Sequence, residues 1–201
     1  LVRVPPGRSA AEYARDVAAD VPTAVAEPLG YVYASAIPTD PDYFRQWGLP
    51  AIGAPAAWDR TWGGSGVVVA VIDSGVDLDQ PDLVGRIAPG GWDYIDNDGI
   101  ADDGYGHGTH VAGIVAATAN NGVLGSGTAP GCGILPMRVL DSSGSGNTLD
   151  LGDAIVDATD AGADVINMSL GSPTYDAYLS SAVAYAVAHD VVVVAAAGNC
   201  N

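Results

Sequence analysis

The chain has 201 residues, 48% of them hydrophobic, enough for one sizeable domain with a buried core and at most a small appendage. Twenty-four acidic residues stand against seven cations, all arginine, and the net charge of -17 excludes nucleic acid as a partner, because phosphate binding needs a basic surface. No apolar run approaches ~18 residues, so no membrane-spanning helix is expected; two cysteines, Cys132 and Cys200, are too few for a disulfide framework and leave their pairing open.

Residues 1–35 differ in character from the remainder of the chain. Leu1 to Val4 is a short strand candidate broken by Pro5-Pro6-Gly7, and Ser9 with Glu12 forms a capping box for a helix over about 10–20. Val21-Pro22 ends that helix, and Thr23 to Pro28 reads as an extended piece. Ile37-Pro38-Thr39-Asp40-Pro41-Asp42 is punctuated by proline and reads as a linker. From Trp47 the pattern becomes α/β, with a short helix over Ala54–Thr61 closed by Gly63-Gly64.

Val67 to Ile72 is a continuous β-branched run, as expected of a strand buried on both faces, and Asp73 stands at its end. Gly106-His107-Gly108-Thr109-His110 opens a helix whose apolar Val111, Ile114 and Val115 recur at helical spacing. Ile134–Leu140 is the next strand. Asn147 caps a helix over about 148–161, and Gly162 follows its end. Asp164–Met168, a helix over Tyr175–His189 and a central strand over Val191–Ala197 complete the series. Strands alternating with helices imply right-handed crossovers and a mostly parallel central sheet with helices on both faces. Functional residues in such sheets lie at the carboxyl ends of strands, where Asp73, Ser169 and Asn199 fall. There is no initiator methionine, and the chain stops two residues beyond Asn199, so the sequence reads as a fragment of this fold, incomplete at its C-terminus.

The run Val71-Ile72-Asp73-Ser74-Gly75, the His107 motif, Asn167-Met168-Ser169-Leu170-Gly171 and Ala196-Ala197-Gly198-Asn199 together resemble the subtilisin-like serine proteases, thermitase-type members above all. The resemblance covers about residues 40–201 and implies a three-layer subtilisin-like fold and peptide-bond hydrolysis through an Asp-His-Ser triad. It implies that Asp73 orients His107, that His107 is the general base, and that Asn199 donates to the oxyanion. Ser169, Leu170 and Gly171 would pair with the backbone of a protein or peptide substrate. The nucleophile of the family sits in a Gly-Thr-Ser-Met-Ala-like motif beyond the asparagine, and no serine here has that context. The 201-residue chain is therefore expected to be inactive by itself. The same resemblance implies secretion, and it matches residues 1–35 to the end of an inhibitory prodomain, a partner of the chain's own; the alternative for these residues is an unrelated N-terminal extension. Residues 36–201 would be the N-terminal part of the peptidase domain.

Carboxylates crowd the turn-rich stretch from Asp93 to Asp102, and hard divalent cations want several oxygens at once. The stretch lacks the spacing of an EF-hand. In thermitase-like proteins the matching loop binds structural calcium, which points to Asp93, Asp96, Asp98 and Asp102. A second calcium site of the family matches Asp40, Asp82 and Asn121. Two other classes compete with the protease reading. One is a non-catalytic pseudoprotease or calcium-binding module. The other is a metal-dependent hydrolase with His107, His110 and Asp73 as ligands, though the pair lacks the glutamate and i,i+4 spacing of zincins.

Overall fold

The computed structural model describes residues 3–20, 26–28 and 36–199. The chain forms two compact units, Leu1–Ala34 and Ser35–Asn201. In the first, helix α1 spans Ala10–Asp20 and buries none of its residues. Its capping box is made: the Glu12 N–H donates to Ser9 Oγ at 3.3 Å, and the Ser9 N–H donates back to Glu12 Oε2 at 3.2 Å. Arg3 and Val4 form no strand, and most of the extended piece expected over 23–28 lies outside the described residues.

The second unit is built on β1 (Val68–Asp73), which the structure places at the centre of a five-stranded sheet. Around it run β2 (Trp92–Asp93), β3 (Gly133–Arg138), β4 (Val165–Met168) and β5 (Val192–Ala195), in the order β2-β3-β1-β4-β5, with every pair parallel. The side-chain alternation along β1 explains why the run is apolar throughout. Ala70 and Ile72 pack with Leu151, Ile155 and Ala158 of α5 (Thr148–Asp160) and with Ala182 and Ala186 of α6 (Ala177–Ala188). Val69 and Val71 face Val111, Ala112 and Ala116 of α4 (His107–Ala116). The result is a three-layer α/β arrangement with helices on both faces, as the strand–helix alternation implied.

Helix α5 begins where the sequence signals it, with the Asn147 side chain accepting the Asp150 N–H at 2.9 Å. Helix α6 is likewise capped by Asp176, which accepts from Leu179 at 2.9 Å. Three expectations are corrected, and one strand is unforeseen. The helix expected over 54–61 is shorter, α3 at Ala54–Trp58, and a further turn, α2 at Gly48–Ala51, precedes it; Pro55 stands in the first turn of α3, where no N–H is needed. Residues 37–42 are not a loose linker: Asp40 is buried and its carboxylate accepts the backbone N–H groups of Asn120, Asn121 and Gly122 at 2.6, 3.0 and 3.1 Å. The last strand is shorter than Val191–Ala197, and within the described residues it is the outermost of the sheet, with Val192 and Val194 exposed. Finally, β2 had no two-period signal to betray it, being two residues long.

Candidate active site

The strand order turns on β1: the chain passes from β1 to β3 on one side, then crosses to β4 on the other. Such reversals open a crevice at the carboxyl ends of the strands. Asp73 ends β1 there, fully buried, and His107 begins α4 beside it. His107 Nδ1 lies 2.7 Å from Asp73 Oδ1 and 2.9 Å from Oδ2. The imidazole is 42% exposed while the carboxylate has no exposure, so one ring edge is held from inside the fold and the other faces solvent. Asp73 Oδ1 also accepts the Ser74 N–H at 2.7 Å.

Close backbone approach permits this. A Cβ on Gly108 would stand 2.1 Å from the Gly75 carbonyl oxygen, so only glycine lets the first turn of α4 lie against the turn after β1. Gly106, with φ of 96°, supplies the left-handed entry into the helix but no side chain to cap it. The cap comes from Asp103. Its carboxylate accepts the N–H groups of Tyr105, Gly106 and Thr109 at 2.9, 2.7 and 2.9 Å and the hydroxyls of Ser74 and Thr109. Partial burial works against ionisation of Asp103, yet these donors, Thr109 first, hold it below the usual carboxylate range. Neither Asp103 nor the Ser74 hydroxyl stands out in the sequence, where Asp103 is one more acid in an acidic loop. The signal that marks it is an aspartate just ahead of a helix start otherwise lacking a capping side chain.

A cavity of about 520 Å³ opens at His107 and is lined by Tyr105, Leu140, Asn147, Leu151 and the segment Ser169–Pro173. The structure thus brings Ser169, Leu170 and Gly171 to the histidine. Ser169 Oγ accepts from Asn167 Nδ2 at 3.0 Å. Asn199 comes after β5, is exposed, and is not among the residues lining this cavity. Tyr105, two residues before His107, and Leu151 on α5 line it with no signal in the sequence to mark them. No hydroxyl is hydrogen-bonded to His107 among the described residues. His110 lines a different cavity with Gln80 and Asp82, so His107, His110 and Asp73 do not converge as a metal-ligand set. No group of three or more His, Cys, Asp or Glu side chains stands at metal-holding distance among the described residues.

The two acidic sets behave differently. Asp93 and Asp96 meet Arg138 Nη1 at 2.7 and 3.0 Å, Asp93 Oδ1 accepts the Ile95 and Asp96 N–H groups, and these pairings raise the arginine pKa although partial burial opposes them. Asp98 turns to the Ile100 N–H and Asp102 to the Leu78 N–H. The expected four-carboxylate cluster does not gather, because a guanidinium already supplies the positive charge. Asp40 and Asp82, by contrast, are both buried with no basic side chain bonded to either among the described residues, and Asn121 Nδ2 lies 2.8 Å from Asp82 Oδ1. Burial first, with the Asp40 charge adding to it, pushes the Asp82 carboxyl above its ordinary range. Two buried carboxylates with no cation of their own suit a hard divalent ion, so Asp40 and Asp82 fit calcium better than the loop set does, while Asn121 turns its amide nitrogen to Asp82 and its oxygen to the Val123 N–H. Cys132 is buried and makes no disulfide among the described residues; Cys200 lies outside them.

Comparison with known proteins shows the family. A model of the subtilase family matches residues 64–201. Thermitase from Thermoactinomyces vulgaris is 50% identical over 164 residues, covering 81% of this chain and 58% of that protein. Halolysin from Haloferax mediterranei is 46% identical over 166 residues, covering 80% of this chain and 32% of that protein. Among solved structures, a cold adapted subtilisin-like serine proteinase superposes with a TM-score of 0.60 at 36% identity, over 69% of this chain and 49% of that one. The chain spans about half the length of the curated relatives it matches.

Proposed function

The chain belongs to the subtilase family, and from that premise we propose that residues 36–201 are part of a secreted serine endopeptidase in which Asp73 and His107 activate a serine. The observation that carries the reading is the hydrogen bond between His107 Nδ1 and the fully buried Asp73. With the Nδ1 proton held by Asp73, Nε2 carries the lone pair and takes the proton of a serine hydroxyl as that oxygen attacks the scissile carbonyl. Asp73 then stabilises the imidazolium, and the same proton passes to the leaving amine. Ser169 to Gly171 offers unpaired backbone beyond β4 along which an extended peptide can add as a strand. Asn199 is assigned as the oxyanion donor. The uncharged lining beyond His107 favours apolar side chains of a protein or peptide substrate. Residues 1–35 are read as the end of the chain's own inhibitory prodomain.

The test is to assay the 201-residue chain and a form lengthened through the same reading frame on a chromogenic peptide, then to treat both with a fluorophosphonate. The short chain should neither cleave nor label. The lengthened form should do both, and its His107→Ala variant should lose on the order of 10⁶ in kcat, because the triad acts as a unit. A lengthened form that never labels would favour a non-catalytic module.

Calcium belongs to the same reading, at Asp40, Asp82 and Asn121. When bound, the ion neutralises the two buried carboxylates; the chain's own part is to hold Asp40 against the 120–122 loop. Binding to the folded state alone raises the melting temperature with ion concentration. A chelator should therefore lower it in the wild type and in Asp96→Ala/Asp98→Ala, but not in Asp82→Asn. Equal chelator shifts in all three proteins would rule out this site.

A further inference from the structure

Ser74 is as deeply buried as Asp73, and no step of the chemistry above uses its hydroxyl. Ser74 Oγ donates to Asp103 Oδ1 at 2.8 Å and accepts the Gly108 N–H at 2.9 Å. Its own N–H is bound to Asp73 Oδ1. One residue thus touches the acid, the helix that carries the base, and the carboxylate capping that helix. Asp103 closes the ring from the other side, accepting from Gly106 and Thr109, which flank His107. Thr109 Oγ1 in turn accepts the Asp77 N–H at 2.8 Å, tying the turn after β1 to the same hub.

We propose that Ser74 and Asp103 are positioning residues for the Asp73–His107 pair: a buried hydroxyl–carboxylate strut that fixes the strand bearing the acid against the helix bearing the base. His107 is exposed on its outer edge and has Asp73 as its one hydrogen-bond partner among the described residues, so its ring direction depends on where α4 begins. Backbone hydrogen bonds across this junction are sparse. Val76 reaches the Ala101 carbonyl, but no backbone bond joins residues 73–77 to residues 106–109. The side-chain strut supplies the missing linkage. A misplacement of about 1 Å in such a pair costs up to roughly a hundredfold in rate while substrate binding survives.

The kinetic arm of the test rests on the protease reading and uses the lengthened, active form. Ser74→Ala should lower kcat roughly ten- to a hundredfold with KM within about twofold, and Ser74→Thr, which restores the hydroxyl, should return most of it. Asp103→Asn, which places an amide donor among donors, should behave like Ser74→Ala. The spectroscopic arm needs no activity: the His107 Nδ1–H proton resonance should be sharp at low field in wild type and Ser74→Thr, and broadened or absent in Ser74→Ala and Asp103→Asn. Melting temperatures of all four proteins identify any that are unfolded under assay conditions, and Ser74→Thr keeps the test open if Ser74→Ala does not fold. Failure of the lengthened wild type to cleave would sink the protease reading and leave the resonance to judge the strut. A sharp, unshifted resonance in Ser74→Ala and Asp103→Asn overturns the proposal, as does a kcat loss that threonine fails to rescue.

Discussion

Glycine at position 108 decides whether acid and base can meet. In an ordinary helix, replacing glycine by alanine gains about 1 kcal/mol. Here the new methyl would fall 2.1 Å from the Gly75 oxygen and 3.1 Å from the Asp73 Cβ, a contact that backbone must yield to relieve. Overpacking of that kind costs about 1–3 kcal/mol, and here it acts on the register of α4 against β1. Gly108→Ala should therefore lower the denaturation midpoint despite the better propensity, and lower kcat more than it raises KM. Urea titration of the short chain and kinetics of the lengthened form check the two halves separately. A variant at least as stable as wild type would mean that the approach relaxes at no cost.

At the scale of elements, α5 and α6 are joined by an unusual kind of polar contact. Tyr185 donates to Asp160 at 2.7 Å and Tyr178 to Asp153, while Tyr94 reaches Asp157 at 2.6 Å. These aspartates line one helix in a chain with few cations, and phenols satisfy them in place of lysines. Hydrogen bonds to Asp160 and Asp153 raise the pKa of Tyr185 and Tyr178; for Tyr94 burial leads, and Asp157 adds to it. A folded-state pKa raised above the unfolded value of about 10 gives stability that is complete below that value and is lost as pH rises through the folded one. Melting between pH 9 and 11 should fall steeply in wild type and less steeply in Tyr178→Phe/Tyr185→Phe. Parallel curves would show that these pairs carry no linkage.

The same scale shows how much of the structure is legible in the chain itself. The β-branched run of β1, the Asn147 cap and the glycine after α5 announce themselves because each acts within a few residues. Asp73 and His107 are legible through motifs whose glycines record close packing. What stays hidden acts across distance. Arg138 neutralises carboxylates 42 and 45 residues away, so the loop from Asp93 to Asp102 looks like a cation site when its cation is on β3. Asp40 looks like linker because its partners, 80 to 82 residues on, are backbone N–H groups that no composition reveals.

For the whole molecule, the net charge of -17 is a self-repulsion that salt screens, with a Debye length near 10 Å at 0.1 M. With calcium held constant, the melting temperature should climb from low to molar potassium chloride. A flat profile would show that the acidic surface is already balanced locally, as it is at Arg138.

The placement of β1 also sets a timetable. Its N–H at Val68 is bound by Asp164, 96 residues further along, and its two neighbours in the sheet are β3 and β4. Contacts of such long sequence separation are slow to form, since loop-closure entropy is lost before the pairing returns anything. A nascent chain carries Asp73 and His107 early, yet it can seat β1 between both neighbours only after Met168 has been made. Until then Asp73 and His107 have no fixed frame.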